Sequence, residues 1–145
     1  MAAGRFKNKY DAMNRRQIVW VCKRCETHHD KTLMNLTGKP IRCVECKTRQ
    51  DFYYFPSRAE AKRFAELRLQ ECSGMITQLQ TQVVYPIVIN SVRVTKYIAD
   101  FVYMRNGRRV VEDVKGNIKF VTDVFKLKQK LIGAIYGVQI NLIER

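Results

Sequence analysis

Four of the five cysteines stand in two Cys-x-x-Cys pairs, and this spacing constrains the fold around them more tightly than any other feature. The pairs are Cys22-Lys23-Arg24-Cys25 and Cys43-Val44-Glu45-Cys46, with seventeen residues between them. Two thiolates three positions apart on a tight turn can bind one ion, and a second pair completes a tetrahedral site. We therefore predict a structural zinc site, with iron in a rubredoxin-like site and unligated thiols as the alternatives.

The zinc-binding segment is predicted to span residues 17–52, with a short strand at 17–21 leading into the first cysteine pair. Because four thiolates saturate the ion, His28 and His29 are interpreted as loop residues, and Cys72 as a structural or incidental thiol. Residues 1–16 are predicted to be a basic arm that either follows a phosphate backbone or is a solvated tail. The segment presents basic side chains that favour nucleic acid or, less often, a protein partner: Lys23, Arg24, Arg42, Lys47 and Arg49.

The chain carries 27 Lys and Arg against 13 Asp and Glu, a formal net charge of +14. Such an excess favours a polyanion as partner, because each neutralised phosphate releases condensed counterions. A basic but inert surface is the alternative. No run approaches the roughly 18 apolar residues of a membrane span, and the first residues lack the apolar core of a signal peptide. We therefore expect an intracellular protein that folds as one domain plus a small appendage.

Residues 53–145 are predicted to form an α/β core. Ser57-Arg58-Ala59-Glu60 has the form of a capping box, and a helix is expected from there to Cys72. Strands are expected at 76–84 and 87–94, broken near Pro86, and then at 97–103 and 109–115, with a turn at Asn106-Gly107. A second helix at 121–135 and a buried strand at 138–143 complete the order helix, strands, helix, strand.

Acidic residues are few in this core, and two of them lie in apolar strands. Asp100 interrupts an apolar run, where an unpaired carboxylate would be costly to bury. Thirteen residues later, side-chain alternation places Asp113 and Lys115 on one face of a strand and Glu112 on the other. A bulge in that strand would exchange the roles of Glu112 and Asp113, so Glu112 is kept as the alternative.

In these stretches the chain resembles the PD-(D/E)xK nuclease superfamily, and more closely a small phage and prophage endonuclease branch of it. The resemblance covers residues 53–145. It departs from the motif at Ala99, which occupies the position of the proline that precedes the first acid in the motif's name. The stretches that carry it are Phe55-Pro56-Ser57 to Glu60-Ala61, Leu79-Gln80-Thr81-Gln82, Tyr97-Ile98-Ala99-Asp100-Phe101-Val102-Tyr103, Val111-Glu112-Asp113-Val114-Lys115-Gly116, Phe125-Lys126-Leu127-Lys128-Gln129-Lys130-Leu131 and Tyr136-Gly137-Val138.

The resemblance implies a restriction-endonuclease-like αβββαβ core, a mixed sheet flanked by helices, with the zinc ribbon as an N-terminal addition. It implies that Asp100 and Asp113, with a backbone carbonyl near Val114, hold one or two Mg²⁺ or Mn²⁺ ions. Lys115 would orient the attacking water or offset charge on the phosphate. Glu60 matches an additional metal-binding carboxylate of some branches, with a purely capping role as the alternative.

The function implied is a DNA endonuclease of a phage or prophage, acting in the cytoplasm of a bacterial host, on branched DNA such as Holliday junctions and as a homodimer. Gln82 is expected to approach the active site, and the lysines expected to meet DNA phosphate, or else to form a solvated helix face, are Lys126, Lys128 and Lys130. Two alternatives remain: a non-catalytic zinc-ribbon nucleic-acid-binding protein, and a nuclease subunit of a larger recombination or packaging complex.

Overall fold

The computed structural model of the chain describes residues 18–29, 42–47, 49 and 51–145. The predicted basic arm lies outside the described residues. By its internal contacts the chain divides into two units, Met1–Ala61 and Lys62–Arg145. No helix in the described ranges is long and apolar enough to cross a membrane.

The first unit contains a small antiparallel sheet in the order β2-β1-β3. Its strands are β1 (Val19–Cys22), β2 (His28–His29) and β3 (Phe52–Phe55). The predicted strand before the first cysteine pair is confirmed as β1, because Val19 and Val21 alternate with Trp20 and turn inward. A small core forms around Cys22, Cys43 and Phe52, so that two of the cysteines also belong to the packing of this unit.

The first helix, α1 (Arg58–Cys72), begins and ends where the sequence predicts. Its N-terminus is held by the capping box, in which the Ser57 hydroxyl donates to Glu60 Oε1 at 2.9 Å and accepts from the Glu60 N–H at 3.2 Å. After the helix, Gly74 takes the left-handed conformation, with a φ of 77°, and its N–H donates to the Glu71 carbonyl.

The second unit is built on a four-stranded mixed sheet in the order β4-β5-β6-β7. Its strands are β4 (Thr77–Ile89), β5 (Val92–Arg105), β6 (Arg108–Lys115) and β7 (Ile140–Glu144). The first three are antiparallel neighbours, whereas β7 runs parallel to β6. The element order helix, strands, helix, strand agrees with the prediction, but three strands precede the second helix where four were predicted.

The predicted strand break near Pro86 is wrong. Strand β4 continues through Pro86, which lies opposite Lys96, and the reversal comes at Asn90 and Ser91, both with positive φ. Because β4 is an edge strand of this sheet, the missing N–H of Pro86 can face away from β5 without breaking the ladder. Residues 76–103, expected as three strands, therefore form most of two long ones.

The sheet of the second unit has a helix on each face. Helix α2 (Asp123–Tyr136) begins at the N-cap Thr122 and buries Ile132 against Val102 and Val111. On the other face, Phe64 of α1 stacks on Phe101 with ring centroids 6.5 Å apart. The chain is thus a mixed α/β protein with a mixed sheet flanked by helices, as expected. A short 3-10 helix, Ile118–Phe120, precedes α2.

Candidate functional site

The predicted acids Asp100 and Asp113 lie beyond the paired part of β5 and β6. The register of these two strands runs from Arg105 opposite Arg108 to Phe101 opposite Glu112, and both acids follow directly after that last pair. Beyond it, the Val114 N–H donates to Asp100 Oδ2 at 2.7 Å. The Asp100 carboxylate, on β5, therefore accepts a hydrogen bond from the backbone of β6 one residue beyond Asp113. The two acids thus lie close together in the second unit.

Asp113 is buried, with 3% of its surface exposed, and both carboxylate oxygens have partners. The Tyr97 hydroxyl donates to Oδ2 at 2.9 Å, and Lys115 Nζ forms an ion pair with Oδ1. As strand alternation predicts, Asp113 and Lys115 share a face. The lysine also lies over the Phe125 ring, 4.5 Å from its centroid, so the ammonium is held from two sides.

Glu112 lies on the opposite face and is fully engaged there. Arg63 of α1 donates from Nε to one carboxylate oxygen at 2.9 Å and from an Nη to the other at 2.8 Å. The Tyr103 hydroxyl donates to the same carboxylate at 2.6 Å. The register of β6 with β7 is continuous from Val111 to Lys115, so the bulge that would exchange Glu112 and Asp113 is not present in this strand.

The pKa of Asp100 is raised to about 6, first by burial and then by the negative charge of Asp113. The Val114 N–H, the charge of Lys115 and the amide of Gln82 lower this pKa in part. Gln82 lies close to Asp100, because its neighbours Thr81 and Val83 pair with Phe101 and Ala99, the residues on either side of Asp100. Two carboxylates that repel each other, one buried (Asp113) and one half-buried (Asp100), fit a divalent cation, whose charge would relieve the repulsion.

This repulsion predicts that Asp100→Asn stabilises the protein in buffer without added Mg²⁺ or Mn²⁺. The folded-state pKa lies above the ordinary 3.8, so folding opposes ionisation and wild-type stability declines as the pH rises from about 4 to about 6. At pH 7.5 we expect the variant to melt roughly 2–4 °C higher, a difference that shrinks towards pH 5. Thermal unfolding at both pH values measures it. A variant that melts lower at pH 7.5 would contradict the repulsion.

A cavity of about 500 Å³ opens beside Asp113 and Lys115. Strand β5 and the first turns of α2 form its walls, and Lys128 closes one side by donating from Nζ to the Lys96 carbonyl at 3.0 Å. A cavity next to paired acids and a lysine is large enough for a phosphodiester group. Its lining residues are Thr95, Lys96, Tyr97, Ile98, Asp113, Lys115, Thr122, Val124, Phe125 and Lys128.

The three lysines predicted to meet DNA have different surroundings. Lys128 lines the cavity. Lys126 is exposed and pairs with Asp123 at 3.2 Å, and Lys130 is exposed on α2. Lys128 is therefore the one of the three placed next to the acids, whereas contacts of Lys126 and Lys130 with phosphate stay predictions.

Glu60 belongs to the first unit, where it is buried at 8% exposure. Its reciprocal hydrogen bonds with Ser57 are those of the capping alternative. The metal-binding role implied by the resemblance stays a prediction. Sequence reasoning missed Tyr97, Phe125 and Arg63, because a contact across strands or from helix to sheet leaves no short motif.

The four paired cysteines form one cluster in the first unit. Their sulfur atoms all lie within 4.8 Å of one another, with Cys22 and Cys46 at 3.7 Å and Cys25 and Cys43 at 3.4 Å. Four sulfurs placed at about 2.3 Å around Zn²⁺ would be separated by about 3.8 Å, so the cluster could bind zinc. The two turns are alike, because Glu26 and Lys47 each have a positive φ and donate to the carbonyl four residues earlier.

The predicted basic residues of this unit are all exposed: Lys23, Arg24, Arg42, Lys47 and Arg49. Lys23 also lies over the Tyr53 ring, 5.4 Å from its centroid. The surface is thus available to a phosphate backbone, and its binding of nucleic acid stays a prediction.

Cys43→Ser is expected to remove bound zinc, because one thiolate ligand and a buried member of the small core are lost together. Metal analysis should give one zinc per wild-type chain and much less than one per variant chain. Cys72→Ser is the matched control and should keep its zinc, since this cysteine lies at the end of α1, outside the cluster. Equal zinc in all three proteins would contradict the assignment.

One family matches the chain, with the description "Protein of unknown function (DUF1064)", over residues 44–143. No curated protein and no solved structure matches. The matched range contains Asp100, Asp113 and Lys115 but, of the four paired cysteines, only Cys46; it excludes Cys22, Cys25 and Cys43.

Proposed function

The chain belongs to the DUF1064 family, and we propose that it is a DNA endonuclease that hydrolyses phosphodiester bonds with a divalent metal ion. The observation that carries the proposal is the arrangement of Asp100, Asp113 and Lys115 beyond the paired part of β5 and β6, beside an open cavity. Two neighbouring acids that repel each other and one lysine held next to them suit metal-assisted hydrolysis. This is the chemistry implied by the resemblance to the PD-(D/E)xK superfamily.

The carboxylates of Asp100 and Asp113 are the proposed ligands of Mg²⁺ or Mn²⁺. When bound, the ion would polarise the scissile phosphate and lower the pKa of an attacking water. The Tyr97 hydroxyl fixes Asp113 by Oδ2, which leaves Oδ1 directed to the side where Lys115 lies. The Val114 N–H fixes Asp100 in the same way, so both acids are oriented by other parts of the chain.

Lys115 supplies a positive charge next to Asp113 and at the wall of the cavity. In the proposed reaction its ammonium orients the water or stabilises the negative charge that develops on the phosphate. The Phe125 ring restricts where the ammonium can move. The lysine is therefore pre-positioned before DNA arrives.

The net charge of +14 supports DNA as the substrate, with Lys128 nearest to the acids and the basic surface of the first unit as a further contact. Zinc in the cysteine cluster would be structural, because four thiolates leave no open coordination position. The preference for branched DNA, the homodimer and the phage origin rest on the resemblance alone.

The test is incubation of purified protein with labelled four-way junction, flap, duplex and single-stranded DNA, with and without Mg²⁺ or Mn²⁺. We expect strand cleavage only with the divalent ion, and fastest on a branched substrate. Asp100→Asn should bind the same DNAs but not cut them. Cleavage that is equally fast without added Mg²⁺ or Mn²⁺ would contradict the proposal.

A non-catalytic nucleic-acid-binding protein is the second candidate, and the exposed basic residues around the cysteine cluster favour it. Tight binding of these DNAs without cleavage in either metal would favour that candidate. Cleavage restored by a partner protein would instead assign the chain as the nuclease subunit of a larger complex.

A further inference from the structure

The turn between Lys115 and α2 exposes an aromatic ring. Phe120 is 81% exposed, the highest value among the large hydrophobic residues in the described part of the chain. Two further apolar side chains are close to it in sequence and are also exposed, Ile118 at 37% and Val124 at 65%. An apolar surface of this kind, in a chain of high charge, indicates a binding site more often than a scattered single residue does.

The position of Phe120 is fixed by its backbone. The Asn117 side chain accepts from the Lys119 N–H at 2.9 Å, and the Phe120 N–H donates to the Asn117 carbonyl at 3.3 Å. The Val121 N–H then donates to the Ile118 carbonyl at 3.4 Å, and Thr122 caps α2. The ring is therefore presented by an ordered turn, with no buried packing to hold it in.

Phe120 lies in sequence between two residues that line the cavity beside Asp113. It is five residues beyond Lys115 and two before Thr122, and both of these residues line the cavity. Two residues of chain span at most about 7 Å, so the Cα atom of Phe120 lies within about 7 Å of that of Thr122 in the cavity wall. The exposed ring therefore belongs to a turn that adjoins the cavity wall.

The charges near the Phe120 ring indicate what kind of partner binds there. Lys115 and Lys128 line the cavity and Lys119 is exposed on the turn. Acids nearby are engaged, since Asp113 pairs with Lys115, Asp123 pairs with Lys126, and Glu144 accepts from the Ile118 N–H at 3.3 Å. A partner that satisfies both the lysines and the ring has anionic groups next to a flat apolar face, which describes a nucleotide whose base is unstacked.

Two other occupants fit less well. A second copy of the chain would bring another +14 charge against these lysines. A continuous duplex keeps its bases stacked and offers phosphates but no free base face to the ring.

We propose that Phe120 stacks on an unpaired or branch-point base beside the scissile phosphate, and so makes the protein select interrupted DNA over continuous duplex. This rests on the proposed nuclease function, and it names a residue that sets the substrate class. Aromatic stacking with a base is sequence-tolerant, because every base has a π-face. The selection is therefore by DNA structure, not by sequence.

The experiment measures binding without added Mg²⁺ or Mn²⁺, on a fork or four-way junction and on duplex of equal length, for wild type, Phe120→Ala and Leu127→Ala. Leu127 is the matched control, since it is 58% exposed on α2 and does not line the cavity. We expect Phe120→Ala to weaken binding of interrupted DNA about tenfold and of duplex less than about twofold. Leu127→Ala should leave both nearly unchanged.

A second readout uses Phe120→Trp, whose fluorescence should be quenched by interrupted DNA and much less by duplex. Wild type gives the background from Trp20, the single tryptophan of the natural chain. Equal losses on both DNAs, no loss, or a change in oligomeric state with Phe120→Ala would overturn the inference. Failure of the nuclease proposal is separate, because a wild type that cuts nothing can still show this Phe120-dependent binding.

Discussion

Asp113→Asn is expected to abolish metal-dependent cleavage, whereas Glu112→Gln, one residue away, is expected to keep most of it. Asp113 is held beside Asp100 and Lys115, while both oxygens of Glu112 accept from Arg63 on the other face of the sheet. A group that only supports a metal ligand typically changes metal affinity or activity by roughly 10–100-fold, and loss of the ligand itself should exceed that. Single-turnover cleavage of one branched DNA, with Mg²⁺ varied, measures both variants.

Comparing Asp113→Asn with Glu112→Gln distinguishes a loss of catalysis from a loss of stability. Asp113→Asn should bind DNA as the wild type does, because no DNA contact is assigned to this buried carboxylate. Glu112→Gln should show lower thermal stability with nearly unchanged cleavage at low temperature. If Glu112→Gln loses cleavage and Asp113→Asn keeps it, the assignment of the second acid is wrong.

Arg63→Ala is expected to have the largest effect on stability. Its guanidinium makes two hydrogen bonds to Glu112, with side-chain exposures of 13% for the arginine and 4% for the glutamate. Removing the arginine would leave a buried carboxylate without its counterion, which destabilises a protein by about 3–5 kcal/mol. The raised pKa of Arg63, caused first by its hydrogen bonds to Glu112, agrees with a strong pair. Urea unfolding of the wild type and the variant gives the difference in the free energy of unfolding.

Arg68→Ala is the matched control on the same helix. Arg68 pairs with Glu71, but the two side chains are 32% and 23% exposed and three residues apart, so its loss should change stability by less than about 1 kcal/mol. Adding Glu112→Gln to Arg63→Ala should recover part of the lost stability, because the uncompensated charge is then gone. A single Arg63→Ala variant as stable as Arg68→Ala would show that the Arg63–Glu112 pair contributes little.

Local signals in the sequence predicted most of the fold. The capping box at Ser57 and Glu60 gave α1, and Asn106-Gly107 gave a tight hairpin, with φ of 51° and 72° at its two residues. The strand break predicted at Pro86 was wrong, because a proline interrupts a central strand but is tolerated in a strand at the edge of a sheet. That position is a property of the tertiary structure, which the local sequence does not encode.

In the candidate site too, some features could be predicted from local sequence and others could not. Strand alternation predicts that Asp113 and Lys115 share a face, since it needs only a regular strand. The hydrogen bond from Tyr97 to Asp113 and the pair of Arg63 with Glu112 join residues 16 and 49 positions apart. Such contacts depend on the register and on helix packing, so no motif in the sequence could indicate them.

The most direct test of the central claim is the single-turnover rate of DNA cleavage by wild type and by Lys115→Ala, with Mg²⁺ present and DNA binding verified for both. We predict Mg²⁺-dependent cleavage by the wild type and a rate roughly 10²–10³-fold lower for the variant, because a charge aimed at the reacting phosphate is removed. Equal rates for the two proteins, or a wild type that binds DNA and cuts none of it in Mg²⁺ or Mn²⁺, would contradict it.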